Sequence, residues 1–297
     1  MTKSSVVHSL EGVKRHTRLS FSVSALLPFL AFAGFFLIWP VIAVTLRSFK
    51  GNNGQWTISN YQTITRGSYL HAFITSIKLA LITAGIGAVL GALFAYVVVK
   101  YSGPRLTAVL DSISAVFANS GGVPLAFMFI AAFGVQGFVT KSLKFIGWDI
   151  YAGHFTIFSF TGVVMVYSFF QAPLMFLVFK PAIAGLRKEW SEASASLGAD
   201  SFTYLRRVAV PILTPPFVGA FFLLFSGGFS AYATARALTV GTVPLVPIII
   251  GTLVDGNVIS DQANLGDALA VGMILVAVVG MFGYIWAQRR AAKWQVR

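Results

Sequence analysis

The chain has 297 residues, 57% of them hydrophobic and only 10% charged, with a formal net charge of +13. This composition excludes an ordinary soluble domain, because several apolar runs exceed the ~18 residues that mark a transmembrane helix candidate. Cysteine is absent, which excludes disulfides and thiol chemistry, and the excess of Lys and Arg reads as membrane topology rather than nucleic-acid binding.

Residues 1–20 are polar and basic, with Lys14, Arg15 and Arg18 ahead of an apolar run from about Phe21 to Leu46. That run is too long for the core of a signal peptide and predicts an uncleaved first helix, kinked or ended at an interface by Trp39-Pro40. A polar loop follows over 47–71, containing Gly51-Asn52-Asn53-Gly54 and Trp56-Thr57-Ile58-Ser59-Asn60-Tyr61. The second span is predicted from about Ala72 to Val99. Its Gly87, Gly91 and Ala95 recur every four residues, a small-residue stripe suited to close helix packing. After the basic turn Lys100–Arg105 comes a third span, about Leu106 to Phe133. It holds Asp111, expected to reach water or an inner-loop arginine, and the interruption Asn119-Ser120-Gly121-Gly122-Val123-Pro124. Such a break frees backbone groups at membrane depth, which fits either a simple kink or a lined pathway.

An outer loop over 134–154 leads to a fourth span, about Phe155 to Phe179. Its Tyr167 and Gln171, four residues apart on one helix face, are either packing groups or solute contacts. The fifth span is predicted over about Ile212 to Leu238, with Ser226, Ser230 and Tyr232 in its small, polar middle. The apolar piece Val243–Val254 is too short to cross and is expected to be re-entrant or to lie along the outer interface. Asp267 is read as a cap of the sixth helix, about Ala268 to Trp286, before the basic end Gln288–Trp294. Fifteen of the 22 Lys and Arg residues fall on one side of this layout, six on the other, and Lys78 within a span. The bias predicts both termini in the cytoplasm.

Between the fourth and fifth spans lies the longest polar, helix-forming stretch, Glu189 to Pro216. Ser191 is a candidate N-cap with Glu192 in the first turn, and Gly198 is placed to end the helix in a left-handed conformation. Asp200 or Ser201 can cap the next helix, which carries Phe202, Leu205 and Val208 on one side and Arg206 and Arg207 on another. Helix chemistry alone gives an amphipathic interfacial connector.

The order of these residues says more. Glu192-Ala193, Gly198-Ala199, Phe202, Val208 and Pro211 resemble the EAA loop of ABC importer permeases (E-A-A, three residues, G, nine residues, I, one residue, L-P). Ser194, Val208 and Val210 depart conservatively from that pattern. Trp56–Tyr61 resembles the loop after the first helix in the same family, and the likeness covers nearly the whole chain. The resemblance implies an all-α polytopic membrane protein of about six transmembrane helices with the type I ABC importer permease fold. It implies a cytoplasmic tail at 1–20, a permease domain at 21–290 with its coupling loop at 187–211, and a cytoplasmic tail at 291–297, in the bacterial inner membrane. Implied partners are a cytoplasmic ABC ATPase dimer, a second permease subunit, an extracytoplasmic solute-binding protein and membrane lipid. Glu192, Ala193, Ala195, Gly198 and Ala199 would couple to the ATPase, while Asn119, Ser120, Tyr167, Gln171, Ser226, Ser230 and Tyr232 would line the solute pathway. The loop Trp56–Tyr61 and the stretch Gly256–Gln262 before Leu265–Ala270 look most like the spermidine/putrescine branch. Permeases for phosphonate, ferric iron, thiamine or oxyanions are alternatives.

No phosphate-loop, H-E-x-x-H or G-x-S-x-G pattern occurs, and His8, His16, His71 and His154 lack ligand spacing. The chain is therefore expected to be no enzyme and to hold no cofactor or metal, with ATP and magnesium on the partner ATPase. A secondary transporter or channel shares the hydropathy but has no use for an alanine-rich docking helix, and a non-transporting membrane scaffold leaves the mid-span breaks unexplained.

Overall fold

In a bilayer every backbone N–H and C=O must be satisfied within the protein, and this chain answers with helices almost throughout. The computed structural model describes residues 26–295 apart from 52, 154, 240 and 255–262. The tail 1–20, the start of the first span at Phe21, Asp255, Asp261 and the Gly256–Gln262 stretch lie outside the described residues. Among the described residues six stretches are long and apolar enough to cross a membrane: Leu26–Ser48, Gly67–Tyr101, Val123–Phe145, Phe160–Ala184, Ser201–Ser230 and Asn264–Trp286, the third reaching past the expected end at Phe133 into the expected outer loop. Among the described residues the extended structure is one isolated bridge between Lys50 and Trp56.

The helices run in chain order as α1 (Leu26–Ser48), α2 (Ser59–Ile64), α3 (Gly67–Tyr101), α4 (Pro104–Asn119), α5 (Val123–Phe133) and α6 (Phe138–Phe145). They continue as α7 (Phe160–Ala184), α8 (Lys188–Ser196), α9 (Ser201–Ser230), α10 (Ala233–Thr239), α11 (Val246–Val254) and α12 (Ala263–Gln295). Several boundaries differ from expectation. The predicted third span is two helices, α4 and α5, parted at Gly122, whose φ of +109° favours glycine. α7 is shifted towards the C-terminus because Ser159 caps it, accepting a hydrogen bond from the Gly162 N–H. The predicted fifth span begins earlier, at Ser201, and ends at Ser230, leaving Leu238 in the separate α10. α12 continues unbroken through the basic stretch to Gln295.

Two of these helices carry a π-helical turn, at Gly34–Ile38 in α1 and Leu205–Ala209 in α9. In each case a proline, Pro40 or Pro211, stands two residues beyond the turn. Proline lacks an N–H and its ring crowds the carbonyl four residues back, and a wider turn there relieves the clash without ending the helix. α9 thus runs from the polar connector into the apolar bundle as one rod.

Helix packing follows the small residues. α3 lies against α7 and α9 with Ala80, Ala84, Ala88 and Ala95 almost fully buried. A Cβ at Gly87 would stand 2.8 Å from the Gln171 Cβ, and one at Gly91 would stand 2.5 Å from the Met175 Cβ and closer still to the Ala172 carbonyl oxygen. The predicted stripe is thus the seam of this interface. α4 is strapped to α7 by an ion pair between Asp111 and Lys180, so the acid meets a lysine on a neighbouring helix, not a loop arginine. A second apolar cluster joins α5, α7 and α10 through Leu125, Phe129, Val163, Tyr167 and Leu238. α11 is enclosed by α12 and the start of α3: Val246 is fully buried and its N–H donates to Ser76 Oγ at 3.0 Å.

At the far end of α1, Arg47 pairs with Asp267 on α12 at 3.0 Å, so that carboxylate sits within the helix as an ion-pair partner, not as its cap. The Asn60 amide donates to the Ser48 and Lys50 carbonyls, and the Tyr61 hydroxyl lies 2.6 Å from Ser48 Oγ. The Trp56–Tyr61 loop therefore satisfies the open carbonyls at the C-terminus of α1.

Candidate functional site

α8 leaves the bundle entirely. It has no buried residue and touches the rest of the described chain chiefly at the start of α9. The helix opens at Arg187, so Ser191 lies within it and is not its N-cap, and Glu189 occupies the first turn in place of Glu192. Lys, Glu and Trp at 188–190 are helix-compatible residues that extend the helix one turn upstream. Glu192 pairs with Lys188 at 3.4 Å on the same face. The end is built as the sequence implies: Gly198 has φ +77°, its N–H donates to the Ala195 carbonyl at 2.9 Å, and the Ala199 N–H donates to the Ser194 carbonyl at 3.1 Å. Those two bonds make a Schellman cap. Asp200 then caps α9, accepting from the Thr203 N–H at 3.1 Å, and the Thr203 contact holds its carboxyl below the usual carboxylate range.

Ala193, Ala195 and Gly198 are all exposed, so the backbone of α8 is open to close approach. Leu197, at 88% exposure, and Phe202, at 65%, flank the cap with apolar surface. Leu197 was not singled out from the sequence; a large apolar residue directly before the capping Gly198 in a polar segment was the available signal.

The seven pathway candidates separate into distinct environments. Tyr167 is fully buried and its hydroxyl donates to the Ala231 carbonyl at 2.7 Å, closing the backbone just after α9 ends. Gln171 is 1% exposed, with its amide nitrogen donating to Thr83 Oγ1 at 3.1 Å and its Oε1 without a partner. Gly228 on α9 presses on that amide, since a Cβ there would stand 2.6 Å from Gln171 Nε2. Asn119 and Ser230 are exposed and Ser120 half-buried, each hydrogen-bonded back to its own helix at Ala115, Ser226 and Phe117 respectively. Ser226 lines a groove of ≈450 Å³ between α7, α9 and α12, together with Leu223, Met281 and Tyr284. Tyr232 packs its ring on Gly251 of α11, with the Arg236 guanidinium 5.7 Å from the ring centre.

One juxtaposition ties part of this set together. The Gly122 N–H donates to Thr234 Oγ1 at 2.7 Å, and the Thr234 hydroxyl reaches the Gly122 carbonyl at 3.1 Å. The break after α4 is thereby clasped to the break after α9, bringing Asn119 and Ser120 to the same region as Ser230. Thr234, 2% exposed, was not anticipated, since a threonine in an apolar run carries no signal of its own.

The family model of the binding-protein-dependent transport system inner membrane component matches residues 87–295. A protein of Nephroselmis olivacea named as a sulfate transport system permease (cysT) is 25% identical over 258 residues, covering 85% of this chain and 84% of its own length. The ferric transport system permease protein FbpB of Actinobacillus pleuropneumoniae is 21% identical over 281 residues, covering 91% of this chain and 39% of that protein. Among solved structures, a chain of a bacterial ABC transporter for the acidic polysaccharide alginate superposes with a TM-score of 0.73 at 16% identity, covering 95% of this chain and 99% of that one. A chain of the MetNI methionine ABC transporter superposes at 0.55, with 16% identity over 75% of this chain and 95% of its own. These relatives are named for sulfate and ferric transport, so they give the spermidine/putrescine branch no specific support. With the matched model spanning well over half of the sequence, the chain belongs to the binding-protein-dependent transport system inner membrane component family, as a multi-pass permease subunit and not an enzyme.

Proposed function

We propose that this chain forms half of the solute pathway of an ABC importer and receives the power stroke through α8. The observation that carries this reading is a helix with no buried residue, bare of bulk at Ala193 and Ala195 and fixed by a Schellman cap, set directly before the rod α9. Glu192 offers charge to a basic groove on the ATPase, while Leu197 and Phe202 supply apolar contact. ATP and magnesium act on that partner, and a second permease copy or homologue covers the exposed side of the clasped breaks at Asn119, Ser120 and Ser230. A solute-binding protein delivers on the side opposite α8, and both termini lie with α8 in the cytoplasm, a reading the Lys and Arg bias supports. Co-purification from detergent-solubilised membranes tests the docking: Glu192→Arg and Ala193→Trp are expected to abolish recovery of the ATPase while the permease stays folded. Undiminished recovery would overturn the assignment of α8.

For the solute, we infer a small oxyanion. The sulfate permease names support it, and so does the state of the carboxylates. A polyamine would need carboxylates along its route, yet the two described acids within the bundle, Asp111 and Asp267, are engaged by Lys180 and Arg47. Radiolabelled sulfate uptake by cells expressing the complete transporter checks this. Uptake of spermidine or ferric iron in place of sulfate would overturn it.

A further inference from the structure

α6, the second helix of the apolar stretch Val123–Phe145, points its apolar residues the wrong way for a soluble segment. α6 packs on α5, and its least exposed residues are Val139, Thr140 and Leu143, while Phe138 is 75% and Phe145 94% exposed. Seven residues apart, these two rings project from one side of the helix, with Lys141 and Ser142 between them. Ile146 and Trp148, just beyond the helix, are 77% and 70% exposed. A helix on the surface of a globular protein buries its large apolar side chains; this one displays them.

The position of α6 identifies what covers them. Phe133 at the end of α5 packs on the same apolar cluster as Phe158 and Phe160 at the start of α7, so both helices leave the bundle at one level, the end opposite α8. The turn at Gly134–Gly137 then folds the chain back: a Cβ on Gly137 would collide with the Ala132 carbonyl oxygen, and one on Gly134 with that of Ile130. α6 therefore breaks away from α5 where the apolar bundle ends, and residues 146–159 bring the chain back to α7. Aromatic rings interleaved with lysines at that level match the boundary between acyl chains and phosphate headgroups. Lys144 also pairs with Asp149 at 3.0 Å, holding that carboxyl below the usual range, and Asp149 in turn accepts from the Tyr151 N–H, which fixes the loop bearing Trp148.

We propose that α6 and the Ile146–Trp148 turn form an interfacial anchor seated in the lipid leaflet opposite the coupling helix. Phe138, Phe145, Ile146 and Trp148 enter the acyl region, and Lys141 lies at the phosphates. The anchor would hold the outer end of α5 at fixed depth while the clasped break at Gly122 works below it.

Because the chain has no cysteine, single-cysteine variants need no prior engineering. Phe145→Cys and Trp148→Cys, each spin-labelled and reconstituted with its transporter in phosphatidylethanolamine–phosphatidylglycerol vesicles, report access to oxygen and to a water-soluble nickel chelate. Oxygen access severalfold above nickel access is expected at both positions. Nickel access dominating at 145 and 148 would overturn the proposal. So would labels shielded from both reagents only when the solute-binding protein is added, which would make this face a protein dock. Two independent label sites keep the test alive if one variant fails to assemble.

Discussion

Gly91 and Gly85 lie six residues apart on α3 and face different surroundings. A Cβ at Gly91 would run into the Ala172 carbonyl and Met175, whereas one at Gly85 meets nothing within 4 Å. Gly91→Ala should therefore force α3 and α7 apart, at an overpacking cost of about 1–3 kcal/mol. Gly85→Ala should be neutral or stabilising by up to about 1 kcal/mol, because alanine loses less backbone entropy in a helix than glycine. Thermal unfolding of the two purified variants in the same detergent checks this, and equal midpoints would remove the seam from the account. The small-residue stripe was legible because spacing alone reports which positions share a helix face. Polarity is less informative. Tyr167 and Gln171 share a face as expected, but a hydroxyl bonded to Ala231 and an amide bonded to Thr83 can be deeply buried, and nothing in the sequence distinguishes that from a pathway lining.

At the scale of elements, five of the six apolar crossings could be read directly, since lipid demands long apolar helices and the runs are that long; the third, expected at about Leu106 to Phe133, lies instead over Val123–Phe145 and is broken between α5 and α6. Boundaries were harder wherever helix chemistry continued past the apolar run. α9 extends into the polar connector because the π turn before Pro211 absorbs the proline, and the same device keeps α1 whole at Pro40. Capping was legible at the end of α8 but not at its start, because a left-handed glycine is a steric requirement and an N-cap serine only a preference. That difference makes a prediction. Gly198→Val places a β-branched residue at φ +77°, a strain of about 1–2 kcal/mol, and should unravel the cap and weaken ATPase recovery, while Gly198→Asn should retain most of it. Equal recovery with valine and asparagine would show that the left-handed turn is dispensable. The Asp200 cap beside it works in the ionised form. Its depressed carboxyl keeps that contribution throughout the neutral range and loses it only as pH falls through the lowered value, so ATPase recovery should not vary with pH near neutrality.

Across the whole molecule, α3, α7 and α9 form the rigid centre, fastened where Gly87 and Gly228 close on Gln171. α8 follows α7 directly and leads into α9, so force applied to α8 reaches that centre from both of its ends. α4 lies outside the glycine seam and is joined to α7 most firmly by Asp111 and Lys180, with the Lys180 ammonium also 5.7 Å from the Phe176 ring. If the proposed importer works by moving this bundle, α4 has two ties to it: the ion pair to α7 and the clasp of the break after α4, through Thr234, to the segment after α9. Asp111→Asn should therefore loosen α4. Leaving Lys180 unpaired in a partly apolar setting should cost about 1–2 kcal/mol, less than the 3–5 kcal/mol of a fully buried pair because both side chains keep contact with solvent. In reconstituted transporter the expected result is ATP hydrolysis that persists while solute uptake falls. The exchanged pair Asp111→Lys with Lys180→Asp should recover part of that uptake, since it restores the attraction with its sense reversed. Uptake and hydrolysis declining together in Asp111→Asn, with no recovery on exchange, would reduce the ion pair to a contribution to folding and leave the movement of α4 to its apolar packing against α7.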